Sequence, residues 1–163
     1  MIKLKPLLFE SKILVSRRTP EEREKRWMRE IYKTLHNYIK KGTVGDLDLK
    51  NAPIKILPDN LKTVSGNLDL YKSKIEDLNN LEYVGGYLDL RYTLIKKLPD
   101  SLKRISGGLY LSESKIEDLN KLEYIGGSIF LFNTPLSNIT TKKEIRSKIK
   151  IMGEIYRSLD DYY

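Results

Sequence analysis

Three aspartates at equivalent places in a repeated pattern are the residues whose type and spacing could do chemistry: Asp48, Asp69 and Asp89. Carboxylates that lie close together can transfer protons or bind Ca²⁺. Catalysis also needs a partner group in a pocket, and these aspartates stand on a predicted open strand without a histidine or a phosphate-binding loop. They also lack the loop geometry of strong calcium sites. We therefore expect a protein that is not an enzyme and needs no metal ion or cofactor.

The composition indicates one soluble domain spanning residues 1–163. The residues are 40% apolar and 32% charged, which is a balance typical of folded soluble proteins. Cysteine is absent, which excludes disulfides and thiolate metal sites and fits a cytoplasmic protein. Pro6, Glu10 and Lys12 interrupt the apolar residues of the first segment, so we expect neither a signal peptide nor a membrane partner.

The aspartates belong to a short motif that organises the chain. An apolar residue, a variable residue and a leucine recur five times, at steps of 21, 20, 21 and 20 residues. So short a period marks stacked coils, none of which can bury its own apolar face. The spacing turns both apolar residues of a motif inward and the variable residue outward. The motifs start at Leu47, Leu68, Leu88, Leu109 and Ile129.

Two variants of the coil alternate between these motifs. One contains a proline, Pro58 or Pro99, and the other lacks it and is one residue shorter. A proline interrupts helix formation, and the recurring glycines allow the chain to turn back. The pattern predicts about five coils over residues 43–139, joined by a parallel sheet.

These repeats resemble the leucine-rich repeat family over about residues 44–139. Family repeats read Leu-x-Leu-x-x-Asn-x-Leu, and this chain gives Leu47-Asp-Leu49-Lys-Asn-Ala52-Pro-Ile54. The resemblance implies an α+β solenoid. The repeats are also similar to short repeats of uncharacterised bacterial and bacteriophage proteins, which gives the hypothesis of a phage-encoded modulator of a host protein. The asparagine is replaced by Ala52 and then by hydroxyl residues that can bond the backbone: Ser73, Thr93, Ser114 and Thr134.

A helix is predicted over residues 19–42, after an irregular arm at 1–18. Thr19 and Glu22 form a capping box around Pro20. The helix carries one apolar stripe, which we expect to cover the open end of the first coil rather than a membrane surface. The stripe consists of Trp27, Met28, Ile31, Tyr32, Leu35, Tyr38 and Ile39.

A second capping helix is predicted over residues 140–163. Thr141 and Glu144 form another capping box. Apolar residues then follow at steps of three and four, so we expect one continuous stripe that packs on the last coil. These residues are Ile145, Ile149, Met152, Tyr156 and Leu159.

The outward residues of stacked strands form three columns on one side of the solenoid, which we call the strand face. Its early coils are acidic and its late coils aromatic. Like charges side by side are destabilising, so either Lys50 and Arg91 screen the aspartates or a cationic partner does. Exposed aromatic rings are typical anchors of protein interfaces, unless the C-terminal helix or a neighbouring molecule covers them.

Two functions fit these patterns. We favour a non-enzymatic module that binds a partner protein through Asp48, Asp69, Asp89, Tyr71, Tyr87, Arg91, Tyr110, Phe130 and Phe132. The alternative uses the net charge of +8, whose excess lies at the two ends of the chain. In it, nucleic acid or another anionic surface binds Arg17, Arg18, Arg23, Arg26 and Arg29.

Overall fold

Short parallel strands stack along the chain into a β-solenoid with two sheets. The computed structural model describes residues 19–161, apart from the side chain of Leu159. The predicted solenoid of short repeats, with an N-terminal helix and helical structure after the last repeat, is confirmed. The arm at 1–18, including Arg17 and Arg18, lies outside the described residues.

Helix α1, Pro20–Lys40, begins at the predicted capping box. The Thr19 hydroxyl accepts a hydrogen bond from the Glu22 amide, and the Glu22 carboxylate accepts one from the Thr19 amide. Ile31, Leu35 and Tyr38 are buried in the core that continues through the coils.

The predicted stripe of α1 is wrong at two positions. Trp27 is 41% exposed and Tyr32 is 53% exposed. The fully buried positions all lie from Ile31 onward, which indicates that the first half of the helix extends past the core. Tyr32 lies about 100° around the helix from Ile31 and therefore points to its side.

The repeat motifs form a six-stranded sheet, and a second sheet of five strands lies on another side of each coil. Each complete coil therefore contributes one two-residue strand to each sheet, and the sixth strand of the first sheet comes from the end of the described chain. The second sheet is not predicted by the Leu-x-Leu pattern. The first sheet contains β1 (Leu47–Asp48), β3 (Leu68–Asp69), β5 (Leu88–Asp89), β7 (Leu109–Tyr110), β9 (Ile129–Phe130) and β11 (Ile155–Tyr156). The second contains β2 (Thr63–Val64), β4 (Tyr83–Val84), β6 (Arg104–Ile105), β8 (Tyr124–Ile125) and β10 (Lys150–Ile151).

Close backbone stacking explains the glycines of the repeat better than turn geometry does. A Cβ atom at Gly85 would lie 2.0 Å from the carbonyl oxygen of Ser65, and one at Gly126 would lie 2.1 Å from that of Ser106. Among the described glycines only Gly42 and Gly45 have positive φ. The predicted role in turning the chain is therefore replaced by one in packing coil on coil.

Hydroxyl groups at the family's asparagine position bond the backbone as predicted. The Thr93 hydroxyl donates to the Leu90 carbonyl at 2.6 Å, and the Thr134 hydroxyl donates to the Leu131 carbonyl at 2.8 Å. Ser73 is the exception, because its buried hydroxyl has no partner among the described residues.

Asparagines bridge successive coils elsewhere, in the turn of the shorter variant. The side-chain amides of Asn79 and Asn120 donate to the carbonyls of Leu57 and Leu98, at 3.2 and 2.5 Å. Both asparagines adopt positive φ, which this residue tolerates better than most. Because Leu57 and Leu98 precede the prolines, the two coil variants are complementary at this turn.

The prediction of one helix over residues 140–163 is wrong in its extent. Two short helices form, α2 (Pro135–Ile139) and α3 (Lys142–Lys148), and α3 begins at the predicted capping box. The chain then adds β10 and β11, which continue the two sheets, and ends in a 3₁₀ turn at Leu159–Asp161. Apolar residues inside an unfinished coil thus lie at the same three- and four-residue steps as a helix stripe.

The strands β10 and β11 each form one edge of their sheet. Side chains form hydrogen bonds with the backbone at or next to both of these edge strands. The Arg146 guanidinium donates to the carbonyls of Ile151 and Gly153, at 3.1 and 2.8 Å. The Asp161 carboxylate accepts from the amides of Arg157 and Ser158, at 2.8 and 3.2 Å. These bonds occupy backbone groups that would otherwise pair with another chain.

Candidate functional site

The strand face has the register predicted from the sequence. Asp48 pairs with Asp69 and Asp69 with Asp89 across parallel strands. Asp89 then pairs with Tyr110 and Tyr110 with Phe130. One unpredicted residue, Tyr156, continues this column beside Phe130, because the tail forms a strand.

Two of the three aspartates are buried rather than presented to solvent. Asp69 is 6% exposed and Asp89 is 3% exposed. Each aspartate accepts a hydrogen bond from the amide two residues ahead, which closes the turn after its strand. The aspartates therefore help to shape the coil.

Cations screen the buried aspartates, as one of the two sequence-based alternatives predicted. The Lys50 ammonium lies 2.9 Å from Asp69, and the Arg91 guanidinium lies 2.5 Å from Asp89. The hydrogen bond from Lys50 to Asp69 raises the lysine pKa, and the bonds from Arg91 to Asp89 raise the arginine pKa. Both cations thus stay charged at neutral pH.

Stacked rings occupy the late coils. The ring centroids of Tyr110 and Phe130 are 4.9 Å apart at an interplanar angle of 7°. Tyr156 covers the other side of Phe130 at 4.8 Å and 15°, and Phe132 meets Phe130 edge to face at 6.1 Å. These four half-buried rings form what we call the aromatic ridge. They partly cover one another, and the contribution of the predicted C-terminal helix is made instead by strand β11.

A depression of about 630 Å³ lies beside the aromatic ridge on the strand face. The Arg91 guanidinium projects between the rings of Tyr71 and Tyr110, at 5.1 and 5.4 Å from their centroids. The Tyr87 hydroxyl contacts Asp69 at 3.3 Å, and burial raises its pKa so that it keeps its proton. The depression is lined by Lys50, Asn51, Asp69, Tyr71, Tyr87, Asp89, Arg91 and Tyr110.

Three basic residues of the alternative site lie on helix α1 and not on the strands of the face. Arg23, Arg26 and Arg29 are exposed on the first half of α1. That helix also carries four glutamates, one of which, Glu24, forms an ion pair with Lys74 at 2.7 Å. The described part of the basic site is therefore a mixed-charge helix surface.

Two residues of the face, Tyr156 and Lys50, are not among the predicted partner-binding residues, for different reasons. The three- and four-residue steps of the tail predict a helix at Tyr156, and its spacing from Phe130 gives no sign of a further strand because it exceeds the regular repeat by several residues. The sequence predicts Lys50 as a screening charge, and the structure shows that it also lines the depression. Its place in the column of Tyr71 and Arg91 was the available signal.

Comparisons with models of protein families, with curated proteins and with solved structures find no match. The likeness to leucine-rich repeats therefore stays a resemblance of pattern. In residues 19–161 no His, Cys, Asp and Glu side chains gather in threes as metal ligands. No helix within that range is long and apolar enough to cross a bilayer.

Proposed function

We propose that this protein is a non-enzymatic interaction module that binds another protein through its strand face. The observation that carries the proposal is the aromatic ridge, a continuous row of half-buried rings on an exposed side of a solenoid. Solenoids commonly bind other proteins through such extended faces. Tyr110, Phe130 and Phe132 supply the apolar anchors, and Tyr156 extends them.

The packing of the rings favours a protein partner. Stacked and edge-to-face pairs are each worth about 0.5–1.5 kcal/mol beyond their buried area, so the ridge is rigid before binding. Rigid aromatic groups lose little conformational entropy in a complex, which is why they often act as binding hot spots. A complementary apolar surface would therefore bind the ridge at low entropic cost.

The same packing disfavours nucleic acid on this face. A base that stacks between two rings needs a centroid spacing of about 7 Å, twice the contact distance of ~3.5 Å. The rings of Tyr110, Phe130 and Tyr156 are 4.8–4.9 Å apart, so their inner faces are closed to a base. Nucleic acid binding through α1 remains the alternative that the experiment distinguishes.

The test is affinity capture of partner proteins with wild type and three variants. Phe130→Ala should weaken partner binding by ~2 kcal/mol, about 30-fold, because it removes the central ring of the ridge. Tyr124→Ala is the matched control, since it removes a ring from β8 of the second sheet, the strand that directly precedes β9 in the chain. Thermal unfolding of each variant separates lost binding from lost folding.

The third variant replaces Arg23, Arg26 and Arg29 with alanine. Under the proposal it binds the captured partner like wild type. Loss of binding in this variant alone, with Phe130→Ala unaffected, would contradict the proposal and assign the function to the basic helix. Binding of an anionic polymer should then fall steeply as salt rises.

A further inference from the structure

The charged groups that the depression presents to solvent are mainly cations. The side chains of Lys50 and Arg91 are 47% and 41% exposed, whereas those of their partners Asp69 and Asp89 are 8% and 4% exposed. At these two ion pairs, an approaching molecule therefore meets the ammonium or the guanidinium before it meets the carboxylate.

The buried carboxylates have their acceptors in use. Asp69 accepts from the Tyr71 amide with one oxygen and from Lys50 and the Tyr87 hydroxyl with the other. The oxygens of Asp89 accept from the amide and the guanidinium of Arg91. A cationic partner would have to displace these bonds.

The cations, in contrast, have donors to spare. An ammonium has three N–H donors and a guanidinium has five. Arg91 uses Nε and Nη2 on Asp89, and no residue in 19–161 accepts a hydrogen bond from its Nη1. Lys50 has one carboxylate partner in that range. The depression thus has an excess of donors, which an acceptor-rich ligand would satisfy.

The surroundings hold the guanidinium in place for such a ligand. Asp89 fixes one edge of Arg91, and the rings of Tyr71 and Tyr110 lie on its flanks. A planar guanidinium held in this way is suited to a carboxylate. Lys50 and Arg91 stand in one column on either side of Tyr71, two strand spacings or ~10 Å apart.

We infer that the depression binds the carboxylate side chains of an acidic segment in the partner protein. The inference rests on the proposed function and adds the charge of the partner. It reverses the sequence-based alternative in which a cationic partner screens the aspartates, because Asp69 and Asp89 hold the cations that face the partner.

The test uses the full chain and three synthetic ten-residue peptides. The peptides share their apolar residues and carry glutamate, glutamine or lysine at every other polar position. Binding is followed by NMR, including the Nε–H signal of Arg91. We expect the glutamate peptide to bind about tenfold more tightly than the lysine peptide and to shift the Arg91 signal.

Two variants locate the binding. Arg91→Gln combined with Asp89→Asn keeps a neutral hydrogen-bonding pair and avoids a buried unpaired carboxylate, and it should weaken the glutamate peptide about tenfold. Lys50→Gln is the milder second variant, because Asp69 retains its bonds from Tyr71 and Tyr87. Arg104→Gln on the second sheet is the matched control and should bind like wild type.

The inference is overturned if the glutamine or lysine peptide binds as well as the glutamate peptide, or if none binds. It is also overturned if Arg104→Gln loses as much binding as the Arg91 variant. These outcomes leave the proposed function standing, since that proposal depends on the Phe130→Ala capture. Selective glutamate binding together with unchanged capture by Phe130→Ala would instead contradict the role of the ridge alone.

Discussion

At the scale of single residues, buried hydroxyl groups at equivalent positions of the coils differ in their hydrogen bonds. Thr93 satisfies its hydroxyl on the Leu90 carbonyl, whereas the Ser73 hydroxyl is buried without a partner. A buried unsatisfied polar group costs about 1–3 kcal/mol. Ala52 occupies the equivalent place in the first coil, so the fold accommodates alanine there.

We therefore predict opposite effects for two like substitutions. Ser73→Ala should raise the free energy of unfolding by about 1 kcal/mol, because it removes an unsatisfied group. Thr93→Ala should lower that free energy by at least ~1 kcal/mol, because it loses a hydrogen bond and a packed methyl group. Urea unfolding of both variants and wild type measures the effects. Destabilisation by both would show that Ser73 has a partner after all.

At the same scale, the columns of the strand face could be predicted, whereas the burial of Asp69 and Asp89 could not. Period-two alternation fixes which side of the strand Asp69 and Asp89 occupy. Their burial depends on the rotamers of Lys50 and Arg91, which close over them from the next outward position. The spacing of residues in the sequence does not indicate whether these two long side chains cover the aspartates.

At the scale of elements, the tail marks the limit of prediction from periodicity. The capping box of Thr141 and Glu144 is local and correctly predicted the start of α3. The end of α3 at Lys148 is decided by long-range pairing, because β10 and β11 extend sheets that already exist. The stripe from Ile145 to Tyr156 fits both outcomes, so only the stacked neighbours decide between them.

Asp161, at the end of the 3₁₀ turn, should make the stability of the fold depend on pH. Its hydrogen bonds from Lys142 and from the amides of Arg157 and Ser158 lower its pKa to about 2. A carboxylate with a pKa lowered from 3.8 stabilises the fold above that pH, and this contribution is lost as the pH falls towards 2.

Asp161→Asn should therefore be less stable than wild type at pH 7, with a difference that shrinks between pH 4 and pH 2. Urea unfolding at pH 7, 4 and 3 measures the difference. Asp160→Asn is the matched control, because it removes the neighbouring carboxylate and leaves the bonds from the Arg157 and Ser158 amides to Asp161 in place, and we expect its stability at pH 7 to be close to that of wild type. A difference between Asp161→Asn and wild type that is constant with pH would contradict the assignment.

At the scale of the whole molecule, residues from both ends of the solenoid contribute to its core. One hydrophobic core runs from Ile31 in α1 to Ile155 in β11. At the first end, the Tyr38 hydroxyl lies 2.8 Å from the carbonyl oxygens of Thr43 and Gly45, and burial raises its pKa to about 12. At the last end, Arg146 and Asp161 bond the backbone beside the edge strands.

We predict that the fragment 43–139, which lacks both ends, does not fold cooperatively. Its first coil would expose Leu47 and Leu49, and its last coil would expose Ile129 and Leu131 beside unpaired strand edges. The fragment 19–161 is the control, because it keeps α1, β10 and β11. Circular dichroism during urea unfolding and sedimentation measure folding and association. The fragment 43–139 should show a broad transition and associate, whereas 19–161 should unfold sharply as a monomer. A soluble, monomeric and cooperative 43–139 would show that the repeats need no caps.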